Sequence, residues 1–290
     1  MIIDFRVTVP RAELTLAREE GAGEARPGAA APRTTYGEVY GRARAPQLTP
    51  AGENLIASMS EAGVDKAVLQ AEWMAGDYRP MNQAVARMVE RYPDRLVGFA
   101  TVNPAEDDDM AKVVESAVKE MGMKGINLQP WAYGVAANDK RFYPVYSKCQ
   151  ELGVPITIHV SINFSIGRMM DYGQPMHIDE IACNFPELTI VANHGGWPRV
   201  TEMVAVAWKH PKVYIEYGAV SPKYIGTPGT GWDPLIVYGN SLLQDRVLFA
   251  TDSMLPFKRV IEETKALPLK EEVKAKWLGG NAARLLNIAT

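Results

Sequence analysis

Cysteine is scarce in this chain, with two residues, Cys149 and Cys183, among 290. They lie in helix-like stretches, match no metal-ligand spacing, and read as small buried apolar side chains. No apolar run approaches the ~20 residues that a membrane span needs. The basic-then-apolar pattern of a secretory leader is missing, because Asp4 and Arg6 interrupt the first apolar stretch, so a cytoplasmic protein is expected. There is no Gly-x-Gly-x-x-Gly and no P-loop, which argues against a doubly wound nucleotide-binding sheet. A net charge of −3 offers no general attraction to nucleic acid or to an anionic membrane.

What is present is an ordinary globular composition, 47% hydrophobic and 22% charged, which can fill one large α/β core or two small ones. Strand-length apolar runs alternate with helix-length amphipathic runs. Strands are expected at 1–7, 64–72, 96–102, 124–129, 154–159, 188–194, 212–216 and 246–251. Helices are expected near 50–62, 81–92, 105–121, 141–152, 178–185, 198–209 and 233–243, with further helices closing the chain. Glu106, Asp107 and Asp108 fall in the first turn of the third of these, where the helix dipole favours acids. Eight such units predict a single (β/α)8 barrel over residues 1–290. The Ala/Pro/Gly/Arg-rich segment from Pro10 to Gln47 has no consistent period and reads as an irregular lid, over or beside the mouth or reaching a neighbouring subunit.

Three of the predicted strands end on ionisable residues: Val154-Pro-Ile-Thr-Ile-His159, Ile190-Val-Ala-Asn-His194 and Val247-Leu-Phe-Ala-Thr-Asp252. In a parallel barrel the C-terminal strand ends form the active-site face, so these side chains are expected to converge there. The bland alternatives are core histidines bonded to backbone and an aspartate capping the next helix. Trp73, Gln129, Trp131, Trp197, Glu216 and Tyr217 also fall at or just past strand ends. They fit a flat or apolar substrate, or simple rim packing. His177 and His210 read as structural, His210 at the opposite end of the barrel, and Lys124 as a packed stem with a paired head.

Met1-Ile-Ile-Asp4, Asn82, Arg91-Tyr-Pro-Asp-Arg-Leu-Val-Gly-Phe-Ala100, Met123-Lys-Gly-Ile126, His159, Asn193-His-Gly-Gly-Trp197, Ala250-Thr-Asp252 and Gly280-Asn-Ala-Ala-Arg-Leu-Leu286 occur in order along the chain. With them the sequence resembles the amidohydrolase superfamily, in the branch of aminocarboxymuconate semialdehyde decarboxylase, γ-resorcylate decarboxylase and related hydratases and lactonases. In that family the first strand usually carries two metal ligands, in an Asp-x-His-x-His pattern or as Glu and His. Here Arg6 and Thr8 stand in their places, within Asp4-Phe-Arg-Val-Thr8.

The resemblance implies a metal site of His159 and Asp252, with His194 catalytic or orienting, and Arg6 opposes a zinc or manganese ion by its charge. The expected function is therefore hydrolysis of a small carboxylate-bearing lactone, ester or amide, with no cofactor or a single divalent metal. Asp252 would be the base, and His159 and His194 would polarise the carbonyl. Arg6 either clamps the substrate carboxylate or pairs with Asp4 or Asp252. Metal-dependent decarboxylation of an aromatic or unsaturated acid is the alternative, and a non-catalytic ligand-binding barrel the third reading. The family also leans towards a homodimer or higher homo-oligomer.

Overall fold

A computed structural model describes residues 1–20, 52–72, 77–104 and 109–289. Eight strands run β1 (Ile3–Thr8), β2 (Lys66–Gln70), β3 (Leu96–Thr101), β4 (Gly125–Leu128), β5 (Ile156–His159), β6 (Ile190–Asn193), β7 (Val213–Glu216) and β8 (Val247–Leu248). They pair in sequence order, every pair parallel. Two backbone bonds bring β1 against the β8 segment, Phe5 N to Phe249 O and Asp252 N to Arg6 O, both 2.9 Å. The result is the (β/α)8 barrel that the alternating pattern predicts.

The helices that matter below are α1 (Arg11–Glu20), α2 (Gly52–Ala62), α3 (Arg79–Arg91), α4 (Met110–Lys119), α5 (Pro130–Tyr133), α6 (Tyr143–Leu152), α7 (Pro175–Asn184) and α8 (Val200–Lys209). Period-two alternation sends Leu69, Ile126, Ile158, Ala192, Ile215 and Phe249 outward into the helix layer, among Met88, Val114, Tyr146, Ile181 and Met203. Phe5, Val68, Phe99, Val191 and Leu248 form a separate cluster inside the barrel. Gly125 leaves room for Phe99, since a Cβ there would stand 2.4 Å from the ring. Above this apolar floor the strands turn polar: Gln70, Asn127 and Thr157 are all fully buried.

β1 breaks the alternation. Its register against β2 slips by one residue between Asp4 and Val7, so that Asp4 faces Ala67 and Val7 faces Leu69. A bulge of this kind re-aims a side chain. Phe5 joins the interior floor, Val7 joins the outer core, and Arg6 between them meets the interior polar groups.

Several expectations need correction. The lid segment opens not as an irregular loop but as α1, which packs beside α3. Buried Glu13 fixes it by accepting from Arg91 Nη1 (3.0 Å) and Gly52 N (3.1 Å). Arg91 lies at the end of α3 remote from the mouth, so α1 runs along the barrel's flank. The rest of the lid lies outside the described residues, as do the acids at 106–108. The described helix begins with Asp109, whose carboxylate caps Lys112 N at 3.1 Å. β8 is two residues rather than six. Lys124 is exposed. No described helix is long and apolar enough to cross a membrane.

Candidate active site

Arg6 is 1% exposed, and its guanidinium is gripped from four sides. Nε donates to Asp252 Oδ1 at 2.5 Å, Nη1 to Gln70 Oε1 at 2.7 Å, and Nη2 to Glu72 Oε1. Asn193, with its amide turned so that the oxygen faces the guanidinium, accepts from Nη1 at 2.9 Å and donates to Glu216 Oε2 at 3.2 Å. The supporting amides are themselves oriented: Gln70 Nε2 donates to Phe5 O and Asn127 Nδ2 to Ala71 O, both at 2.8 Å. Thr157 Oγ1 joins the two amide oxygens at 2.9 Å each. Every group in this layer is satisfied, as a buried polar network must be to be stable.

Four carboxyls surround this one cation. Burial pushes Glu216 up to about 8 and Asp4 up to about 7. It also raises Glu72 and Asp252, against the pull of Arg6. Burial alone would lower Arg6, but Glu72, Asp252 and Glu216 hold it charged. Burial thus favours the protonated form of each of these carboxyls, and Arg6 the charged form of Glu72, Glu216 and Asp252. Asp4 does not pair with the guanidinium; it stitches β1 to Thr251, accepting from Oγ1 at 2.6 Å and from Arg6 N at 3.0 Å.

His159 and His194 meet edge to face beside this cluster, ring centroids 4.7 Å apart. Burial holds both neutral, His194 down to about 3 and His159 well below its usual range, with Arg6 adding to each. His194 Nδ1 lies 3.0 Å from Gly218 O and His159 Nε2 lies 3.2 Å from Ile162 O. A carbonyl only accepts, so those nitrogens carry the protons and the opposite nitrogens, His194 Nε2 and His159 Nδ1, are left as acceptors. His159 and His194 are expected from the sequence to polarise a carbonyl; in these tautomers neither neutral ring has a second N–H to do so. His194 and Asp252 both hold left-handed backbone, φ 65° and 56°. Such strain costs on the order of 1–3 kcal/mol per residue and gathers at functional sites. Gly195 and Gly196 continue the left-handed turn, which explains the His-Gly-Gly sequence.

At the end of β4, Gln129 and the Trp131 indole on α5 are buried, and Trp131 packs on His159 at 5.9 Å between centroids. Gln129 Oε1 and Trp131 Nε1 have no hydrogen-bond partner among the described residues. Trp197 instead spends its Nε1 on Thr230 O (3.2 Å), while its own carbonyl accepts from Ile162 N (2.9 Å), tying two rim loops together. Tyr217 points away from the mouth: alternation places Glu216 inward and Tyr217 in the outer core, where its hydroxyl meets Thr264 Oγ1 at 3.1 Å. Trp73 lies outside the described residues. His177 bonds locally, to Gln174 Nε2 (3.0 Å) and Tyr172 O (3.4 Å).

Sequence reasoning missed Gln70, Glu72, Asn127 and Asn193 as site residues. The signal was present: in Leu69-Gln-Ala-Glu72 and in Gly125-Ile-Asn-Leu-Gln129, polar residues alternate with apolar ones late in a strand.

An eight-stranded parallel barrel with histidines on β5 and just past β6 and an aspartate past β8 defines an enzyme of the amidohydrolase class. The chain belongs to the amidohydrolase family, whose profile matches residues 13–288. It is 21% identical to a 2-amino-3-carboxymuconate-6-semialdehyde decarboxylase from Dictyostelium discoideum, over 72% of this chain and 66% of that one. It is 29% identical to a 2-keto-4-carboxy-3-hexenedioate hydratase from Sphingobium, over 40% of this chain and 39% of that one. The chain thus spans 39% and 66% of the length of these curated relatives. An uncharacterised TIM-barrel protein from Bordetella bronchiseptica superposes with a TM-score of 0.73 at 28% identity, covering 99% of this chain and 98% of the other. A 5-carboxyvanillate decarboxylase from Novosphingobium aromaticivorans, solved with manganese, superposes with a TM-score of 0.65 at 18% identity, covering 99% and 96%.

A divalent ion does not fit this chain's barrel mouth as it is built. The Arg6 guanidinium already holds Asp252, although His194 Nε2 and His159 Nδ1 keep lone pairs. His159, His194 and Asp252 do not bring ligand atoms within 4.8 Å of one another, and a fixed guanidinium repels a dication placed among them.

Proposed function

We propose that this chain hydrolyses a small carboxylate-bearing lactone, ester or amide at the C-terminal mouth of its barrel. The observation that carries this reading is the Arg6–Asp252 pair, in which a side-chain cation occupies the place beside the strand-eight aspartate. Asp252 is the general base: its raised pKa, set by burial against Arg6, brings proton uptake towards neutral pH, where general-base catalysis is most effective. A water donating to Asp252 finds a second acceptor in His194 Nε2. Trp131 Nε1–H, buried and unpartnered among the described residues, donates to the oxygen that gains charge, and Gln129 Oε1 accepts from a substrate hydroxyl or amide. A substrate carboxylate reaches Arg6 by displacing Glu72 from Nη2, since Glu72 is 18% exposed and readily protonated there.

Decarboxylation is the second reading, favoured by the decarboxylases among the relatives and by the same raised Asp252, which can deliver a proton to carbon. The test is turnover on a panel of carboxylate-bearing lactones, esters, amides and aromatic acids, following acid and carbon dioxide release with and without chelator. Acid release indifferent to chelator is expected. Carbon dioxide release that depends on added manganese or zinc would overturn the hydrolytic reading.

A further inference from the structure

Among the described residues, the side chains that do gather as metal ligands are far from the mouth: Asp179, Cys183 and His210 bring ligand atoms within 4.8 Å of one another. We propose that these three residues form a zinc-type cation site on the outer flank of the barrel, joining α7 to the end of α8.

Asp179 and Cys183 are four residues apart on α7 and so share one face. His210 follows α8 directly and turns its Nε2 to within 2.7 Å of Asp179 Oδ1. A thiolate, an imidazole and a carboxylate are the donor mixture that suits zinc rather than magnesium or calcium. Three protein ligands on an exposed rim leave the fourth tetrahedral position to water.

A cation already balances the Asp179 carboxylate here, and it is one that can be displaced. The Lys209 ammonium lies 2.7 Å from Asp179 Oδ1 and 3.7 Å from Cys183 Sγ. Lys209 is 56% exposed and hangs on a flexible stem, so it can leave without breaking the fold. Ion entry requires His210 Nε2 and Asp179 Oδ1, now 2.7 Å apart, to part by roughly 0.6–1.1 Å, since metal–ligand bonds of about 2.0–2.3 Å set tetrahedral ligands roughly 3.3–3.8 Å apart. Binding releases the Cys183 thiol proton to solvent, and the ammonium swings outward still charged. The sequence spacing hid this group, because His210 lies 27 residues past Cys183 and joins it only across two helices.

Cobalt(II) titration of the full chain tests the site. One equivalent should produce the near-ultraviolet thiolate-to-metal band, and Cys183 is its source, because Cys149 is fully buried in the core. Cys183→Ser, at an exposed position that tolerates the change, should abolish the band while circular dichroism stays unchanged. His210→Ala should weaken binding by more than about 100-fold, beyond what loss of an outer-shell partner gives. Lys209→Met should tighten it several-fold by removing the competing ammonium. Absence of the band, wild-type cobalt affinity in Cys183→Ser, or weaker binding in Lys209→Met would overturn the proposal. None of these outcomes depends on catalysis at the mouth.

Discussion

Arg6 and Asp252 are joined twice: Nε donates to Oδ1 at 2.5 Å, and the Asp252 amide donates to the Arg6 carbonyl at 2.9 Å. The contact that closes the barrel between β1 and β8 is thus also the contact that charges its mouth.

Asp252→Asn should leave the barrel folded and remove the base. On a substrate identified from the panel, kcat should fall by about 10²–10⁴-fold, the range of general acid–base catalysis. Steady-state kinetics showing a raised KM with unchanged kcat would assign Asp252 to binding instead.

Arg6→Met keeps an unbranched side chain and deletes the charge. Glu72, Asp252 and Glu216 then lose their shared cation, and urea denaturation at pH 7 should show a loss of about 3–5 kcal/mol, as for other broken buried pairs. The loss should shrink near pH 5, where Asp252 and Glu72 can take up protons in place of their lost cation. A pH-independent loss would mean that the guanidinium contributes through packing alone.

The pH dependence of Glu216 has a definite sign. Its folded pKa of about 8 lies above the 4.5 of an unperturbed glutamate, so its stabilisation is present below about pH 4.5 and is lost as pH rises through about 8. Glu216→Gln removes that loss. The stability of the variant relative to the parent should therefore rise from pH 5 to pH 8 in urea melts, and a flat difference would place the proton elsewhere in the cluster.

Nitrogen-15 spectra should find His194 protonated on Nδ1 and His159 on Nε2, both neutral through pH 6. The folded pKa of His194, about 3, lies below 6.5, so its stabilisation is present above pH 6.5 and lost as pH falls towards 3. A titration near 6.5, or the reverse tautomers, would remove His194 Nε2 as an acceptor for the attacking water.

Much of this was legible in the sequence, because strand-end residues in a parallel barrel fall on one face by topology alone. That is how His159, His194 and Asp252 are expected to lie together, and Arg6 is singled out by the family position it fills; the barrel places all four side by side. What surrounds Arg6 was not legible. Gln70 and Asn127 read as strand residues of no special kind until eight strands close and their inward sides meet. Tyr217 was misplaced by one residue of alternation, and in a strand one residue is the difference between mouth and core. Cys183 read as a buried apolar residue, yet it is exposed, since helix periodicity alone does not say which neighbour covers a face.

The bulge on β1 bears on how this barrel could arise or be remade. One surplus residue between Asp4 and Val7 decides whether the barrel's axis holds a positive charge of its own. Removing one residue there would restore regular pleating and swing the next side chains to the opposite surface. An interior lined with Asp252, Glu72 and two histidines, but emptied of its guanidinium, would then have to draw a cation from solvent. Strand length, at the scale of a single peptide unit, is a lever between a barrel that carries its own counterion and one that must recruit it.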